Sequence, residues 1–448
     1  MALTGLEVFE RGVLPRWVRV RQQLDETEEA DVAAAIAREF ARPGIGDAIA
    51  AGTSVALTAG SRGVDKIAEI LKACVAEITA RGATPFIVPA MGSHGGATVA
   101  GQLSILEHYG ITAAAMGCEI RASMETVLLG HIDNPAGAGA HGGAPLRTDH
   151  STKVPVYFDK TAYEQADVVI PVGRVKPHTD FVGVVESGMM KMLSIGLGKQ
   201  KGAEYFHARG FGFFHELIPA VGQFTLSKVN IPFGIATVEN GHSHCSLIEA
   251  LPAATMLARE AELLTIARER IGRLPEVDLD VLIIDQIGKD ISGDGADPNV
   301  VNRDVVGVVD RVALGFRPRI QRIVMRDLTS DTEGNATGVG MGDVVLRRLA
   351  DKIDPVKTYM NCITSKSPGG ARTPMVLDTD RQALHIAIAS CLETETETAR
   401  VARIESTKHV EEMWVSEALL PEMLATGKVT VLNEPGPIVF DDEGMFVE

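Results

Sequence analysis

Along the first half of the chain, short apolar runs alternate with stretches whose apolar residues recur at three- and four-residue steps. Ser54 to Thr58 (SVALT) reads as a strand. After Gly60, the residues Val64, Ile67, Ile70, Leu71, Cys74, Val75 and Ile78 share one face of a helix running from about Gly63 to Ala80. A strand at Pro85–Val88, a glycine loop at Gly92–Gly96 and a helix from Thr98 to about His108 follow. Further strands are predicted at Val154–Phe158, Val168–Val172 and Phe233–Val238, then a helix at Thr255–Ile271. Gly272-Arg273-Leu274-Pro275 looks like a boundary. Beyond it the pattern restarts with strands Leu279–Ile284 and Arg319–Val324, helix Asp343–Lys352, strand Pro374–Leu377, helix Arg381–Leu392 and strand Arg400–Ile404. The economical reading is an α/β protein of two α/β domains, 1–274 and 275–448, with the active site in the cleft between them. Asn134–Lys153, rich in Gly, Ala and His, reads as a loop or surface insert.

Composition narrows the class of function. In 448 residues, 43 Lys and Arg face 59 Asp and Glu, a net charge of −16. That balance argues against a general binder of nucleic acid or anionic membrane. No apolar run is long enough to span a bilayer, and Glu7, Glu10 and Arg11 interrupt the N-terminal stretch where a signal peptide needs an apolar core. The five cysteines (Cys74, Cys118, Cys245, Cys362, Cys391) are far apart and form no CxxC pair. A cytoplasmic protein is the expectation.

Three segments at strand exits carry the candidate chemistry, since open α/β sheets place ligands there. In Thr58-Ala59-Gly60-Ser61-Arg62-Gly63, the glycines let backbone N–H groups approach an anion beside Ser61, and Arg62 offers a bidentate fork to a carboxylate or phosphate. An ordinary strand–helix turn is the alternative. In Pro89–Thr98, His94 stands among Gly92, Gly95 and Gly96, which would leave its imidazole uncovered. The third segment, Gly173 to His207, interleaves Arg174, Lys176, His178, Asp180, Glu186, Lys191 and Lys199 with apolar residues. Lys191 sits among Met189, Met190, Met192 and Leu193, where burial would favour a neutral, nucleophilic amine. Gly196-Leu197-Gly198-Lys199 has the composition of a phosphate cradle. A lysine snorkelling from a helix edge is the plain alternative for this region.

These residues give the chain a resemblance to the lactate racemase family, which uses a nickel-pincer nucleotide. The carriers are His94 in a Gly-x-His loop, His178 after proline, and Lys191 followed sixteen residues later by His207. The resemblance extends over about residues 10–270 and, more loosely, over the two-domain layout, and it points to a divergent branch. It implies a cofactor, pyridinium-3-thioamide-5-thiocarboxylic acid mononucleotide with nickel, tethered to Lys191. It implies His207 as the protein ligand of square-planar nickel, a geometry that suits Ni(II). His94 and His178 become the acid/base pair and Arg62 the holder of the substrate carboxylate. Ser61, Gly196, Gly198 and Lys199 are the expected cofactor contacts. The family's motif aspartate is replaced by Ala59, its Arg-Pro after the histidine by Gly95-Gly96, and its Gly-Gly before the lysine by Gly188-Met189.

The chemistry implied is inversion at the carbon of a 2-hydroxy acid. A histidine takes the hydroxyl proton while the carbon-bound hydrogen leaves as hydride to an electron-poor ring. Inversion needs one base for each substrate hand, which two histidine loops provide. In the second domain, Lys289, Asp297 and Asn299 lie in Gly288–Asn299 after strand Leu279–Ile284 and, with Arg174, are the expected substrate contacts. The partners implied are a small 2-hydroxy acid, a sugar acid among the options, and the enzymes that build the cofactor. His242-Ser243-His244-Cys245 lacks a fourth ligand for zinc, and Gly338-Val339-Gly340-Met341-Gly342 follows a polar stretch rather than a strand. Two other readings stay open: an NAD-type dehydrogenase or hydrolase, and a non-catalytic carboxylate-binding or sensor protein of the same fold.

Overall fold

The computed structural model describes residues 5–61, 63–135, 153–305, 307 and 309–447. Arg62 lies outside the described residues, as does nearly all of the expected insert at Asn134–Lys153. The fold is α/β, and the chain divides into two compact units. One comprises residues 25–271; the other joins residues 1–24 to 272–448.

In the 25–271 unit, a four-stranded parallel sheet runs in the order Glu119–Ile120, Thr84–Pro89, Ser54–Ala59, Val168–Ile170. The helix Ile67–Ala80 covers it with the stripe read from the periodicity, burying Ile67, Ile70, Leu71, Cys74, Val75 and Ile78. The single strand expected at Val168–Val172 is two strands. Val168–Ile170 pairs with Ser54–Ala59, whereas Val172–Arg174 pairs with Phe233–Glu239 in a second sheet. Pro171 sits at the hand-over; it has no N–H to donate to either ladder, while its carbonyl accepts from Ile235 N–H at 2.8 Å. Cys245–Pro252 completes that sheet antiparallel to Phe233–Glu239, and Thr126–Asp133 pairs antiparallel with Lys153–Asp159.

The other unit is built on an eight-stranded sheet in the order Met375–Leu377, Val344–Leu346, Ile320–Leu328, Leu279–Ile287, Val401–Ile404, Glu412–Ser416, Trp17–Gln22, Val429–Val431. The first five are parallel and the last three are antiparallel to their neighbours. From Val18 to Gln22 the strand Trp17–Gln22 alternates, with Val18, Val20 and Gln22 buried and Arg19 and Arg21 outward against Glu412, while Trp17 is buried on the arginine face. Apolar clusters lie on both faces of the sheet. The helix expected at Asp343–Lys352 is instead the strand Val344–Leu346 followed by a helix of one turn, Arg347–Ala350. Val344, Val345 and Leu346 are wholly buried between neighbouring strands, where a β-branched run fits the pleat. Among the described residues, no helix is long and apolar enough to cross a membrane.

Candidate active site

Two candidate residues of the 25–271 unit, Ser61 and His94, meet at the carboxyl ends of neighbouring parallel strands. Ser54–Ala59 exits through Gly60 into Ser61, whose hydroxyl touches Nδ1 of His94. His94 is exposed and begins the loop turn Gly95–Ala97 after strand Thr84–Pro89. The loop is held from beneath by Gln102, fully buried, whose Nε2 donates to Gly92 O at 3.2 Å. Glycine is required at Gly95, where φ is +68° and a Cβ would lie 2.6 Å from the Gly101–Gln102 backbone.

The second histidine follows strand Val172–Arg174. Its peptide N–H donates to Glu186 at 2.6 Å, and Glu186 also accepts from Gly183 N–H at 3.0 Å and pairs with Arg268. Glu186 is thus a buried clamp on the His178 loop. The Asp180 N–H donates to His178 Nδ1 at 3.1 Å, and the Asp180 carboxylate lies 3.4 Å from the same nitrogen. The His178 ring packs on Phe181, with centroids 4.6 Å apart, and faces Phe211 at 6.1 Å. Phe211 also meets His207, 5.5 Å away edge-on, in the last turn of the helix Lys199–Arg209.

Lys191 lies at the end of the single turn Met189–Lys191, which passes into a π-helical segment, Met192–Gly196. Such segments interrupt the regular ladder and recur at functional sites. Met189, Met190 and Leu193 are buried, whereas Lys191 is half-buried. The segment is knitted to the other loops: Gly92 N–H donates to Gly196 O at 3.2 Å, and the Met192 methyl fills the space beside Gly60 and Gly173. The structure therefore brings Ser61, His94, Lys191, His178 and His207 onto adjoining segments of one unit.

Other expected contacts are engaged within the fold. Lys199 is wholly buried and pairs with the buried Asp159 at 2.6 Å while donating to the Pro89 carbonyl. A Cβ on Gly196 would lie 2.7 Å from Ala90 O, and one on Gly198 2.7 Å from Ser194 O. These glycines serve close backbone packing, so Gly196, Gly198 and Lys199 do not form the open phosphate cradle their composition implied. Arg174 is largely buried against Glu239. In the other unit, Lys289 Nζ donates to Gly293 O and, at 3.1 Å, to Asn361 Oδ1. Asp297 caps the turn Pro298–Val301 and accepts from Asn299 N–H at 2.8 Å; Asn299 Oδ1 accepts from buried Arg311 at 2.9 Å.

Sequence reasoning passed over Gln102, Glu239 and Glu260 and gave Glu186 no role. Glu260 had a signal: it falls on the apolar stripe Met256, Leu263, Leu264 and Ala267 of helix Met256–Arg270. Burial pushes its carboxyl up to about 7, while the Met190 and Met189 peptide N–H groups pull the other way.

Among the described residues, no group of three or more His, Cys, Asp or Glu side chains is gathered to hold a metal ion. His207 presents a single imidazole among the rings of Phe211 and Phe214. That donor set fits a metal arriving with donors of its own rather than one caged by protein alone.

No protein-family model and no curated protein sequence matches the chain. Eight chains of known structure are similar to it. One is a structural-genomics protein from Thermotoga maritima, 12% identical with a TM-score of 0.42, covering 57% of this chain. This chain spans 62% of that protein's length. Another is the lactate racemase apoprotein from Thermoanaerobacterium thermosaccharolyticum, 13% identical with a TM-score of 0.42, covering 87% of this chain and 85% of its own.

Proposed function

We propose that the chain is a racemase or epimerase of a 2-hydroxy acid, carrying a nickel-pincer nucleotide on Lys191 with His207 as the nickel ligand. The observation that carries this reading is the grouping of His178 and His207 around Phe211, beside a π-helical segment that presents Lys191 and is bonded to the His94 loop. When bound, the nucleotide supplies an electron-poor ring able to accept hydride from carbon. The chain's own residues supply proton transfer and orientation. His94 and His178 are the proposed acid/base pair, one for each hand of the substrate. To take a proton at Nε2, His178 must carry its hydrogen on Nδ1 and turn that nitrogen from the Asp180 N–H to the Asp180 carboxylate. Asp180, 3.4 Å from His178 Nδ1, offers a counter-charge to the imidazolium that forms. Ser61 orients the His94 ring through its hydroxyl. Glu186 fixes the backbone of the His178 loop. Arg62 is the proposed partner of the substrate carboxylate. The phenyl rings of Phe181, Phe211 and Phe214 pack against His178 and His207 and so strengthen the polar contacts made there. A cytoplasmic enzyme served by cofactor-building enzymes completes the proposal.

The test is to co-express the chain with the pincer-building enzymes, record its intact mass and map the added mass to a residue. A panel of 2-hydroxy acids is then followed in heavy water by optical rotation. Expected are a mass increment on Lys191 and loss of rotation with one acid. An unmodified Lys191 together with no racemisation of any acid rejects the proposal. His207→Ala is expected to lose nickel while keeping the mass on Lys191.

A further inference from the structure

Glu260 is wholly buried on the apolar face of helix Met256–Arg270. Its Oε2 accepts from Met190 N–H at 3.0 Å and the Met189 N–H also draws on the carboxyl, while Oε1 is buried with no hydrogen bond of ordinary geometry. Gly188, at φ +151°, turns its open side to the same carboxyl: a Cβ there would lie 2.7 Å from Oε1. Burying a carboxyl with no cation beside it costs more than burying leucine or methionine in the same volume. Packing alone therefore does not account for a glutamate here, and an unsatisfied buried oxygen calls for a reason.

What the carboxyl does touch is the start of the turn Met189–Lys191. That turn runs directly into a π-helical segment, where the regular bond ladder is broken and the backbone direction is weakly determined locally. We infer that Glu260 is a positioning residue: its carboxyl, received into the space that Gly188 leaves open, holds the Met189–Lys191 turn and so sets the direction in which the Lys191 side chain leaves the fold. The inference rests on the reading of Lys191 as the attachment point, and it explains why glycine precedes Met189 whatever the cofactor. A side chain at Gly188 would displace the Glu260 carboxyl from this position.

The test uses the full-length protein without cofactor. Lysines are acylated in a short pulse with an N-hydroxysuccinimide ester, and labelling at Lys191 is divided by that at exposed Lys72, both by peptide mass. Glu260→Ala is expected to change this ratio about fivefold or more, the scale set by loss of one charge-assisted hydrogen bond. Glu260→Gln keeps an acceptor for Met190 N–H and is expected to stay within about twofold. If Glu260→Ala does not fold, Glu260→Asp, one methylene shorter, takes its place with the same expectation. A folded Ala or Asp variant with the wild-type ratio overturns the inference, as does a Gln variant that departs as far as Ala. If co-expression with the pincer-building enzymes leaves Lys191 unmodified and no acid racemises while the ratio still responds to Glu260, the cofactor reading falls and the positioning role stands.

Discussion

The loops that leave the parallel strands of the two units are made of the same residue types and use them differently. In the 25–271 unit, the loop after Thr84–Pro89 carries His94 outward while a buried Gln102 takes up the backbone polarity beneath it. In the other unit, the loop after Leu279–Ile287 turns its polar side chains on itself. Lys289 donates to its own loop carbonyl at Gly293, Asp297 caps the next turn, and Asn299 receives Arg311. Short Asp and Asn side chains satisfy nearby backbone readily, whereas an imidazole among glycines cannot reach back to do so. At His94 another residue, Gln102, has satisfied the loop, which lets the imidazole face outward.

The contrast recurs at closer range between Lys191 and Lys199, eight residues apart, and it predicts opposite phenotypes. The largest expected effect is at the first: Lys191→Ala abolishes turnover of the loaded enzyme while denaturant unfolding moves by less than about 1 kcal/mol. A variant that keeps turnover would break the division into working and structural lysines. His178→Ala should slow turnover by about a hundred- to ten-thousand-fold with the mass on Lys191 retained. Lys199→Met should do the reverse, costing about 3–5 kcal/mol in unfolding free energy because Asp159 is left buried without its cation. Equal stability of the Lys199→Met and wild-type proteins would remove the buried pair from the account.

Glu260 sharpens the comparison through pH. Its carboxyl is held at about 7 against 4.5 for an ordinary glutamate, so the folded chain keeps that proton to higher pH than the unfolded one. Stability from this group is therefore full below about 4.5 and falls as pH climbs through about 7, by on the order of 3 kcal/mol. In Glu260→Gln that slope should be missing, so the variant gains on the wild type from about pH 5 to about pH 7 in urea unfolding. A constant difference across that range would show that Glu260 does not titrate there. The smallest effect belongs to the self-satisfied loop: Asp297→Ala should cost about 1 kcal/mol, the value of one lost cap, with thermal unfolding as the readout.

The candidate residues were legible because their signals are local. His94 among glycines, His178 after proline and Lys191 among methionines can each be read within a few residues, and each lies on a segment leaving a strand or opening a helix as that pattern implies. The role given to Gly196-Leu197-Gly198-Lys199 did not survive for a physical reason. Composition tells that a backbone can come close to something, not whether that partner is an anion or, as at Ala90 O and Ser194 O, the protein's own carbonyls. The expected helix at Asp343–Lys352 erred similarly, since Val344–Leu346 is a strand only because neighbours on both sides bury it.

By itself, the sequence determined the alternation of strands and helices, the apolar faces of the helices and the loops where histidines stand, because periodicity and turn chemistry act between near neighbours. Tertiary structure alone decided the rest. It joined Trp17–Gln22 to strands near the C-terminus, split Val168–Arg174 between two sheets at Pro171, and turned Lys199 inward to Asp159. It also set Glu260 against Met190, a contact between residues 70 positions apart. Such contacts depend on which surfaces meet once the chain has closed on itself, and burial then assigns each charge its partner and its strength.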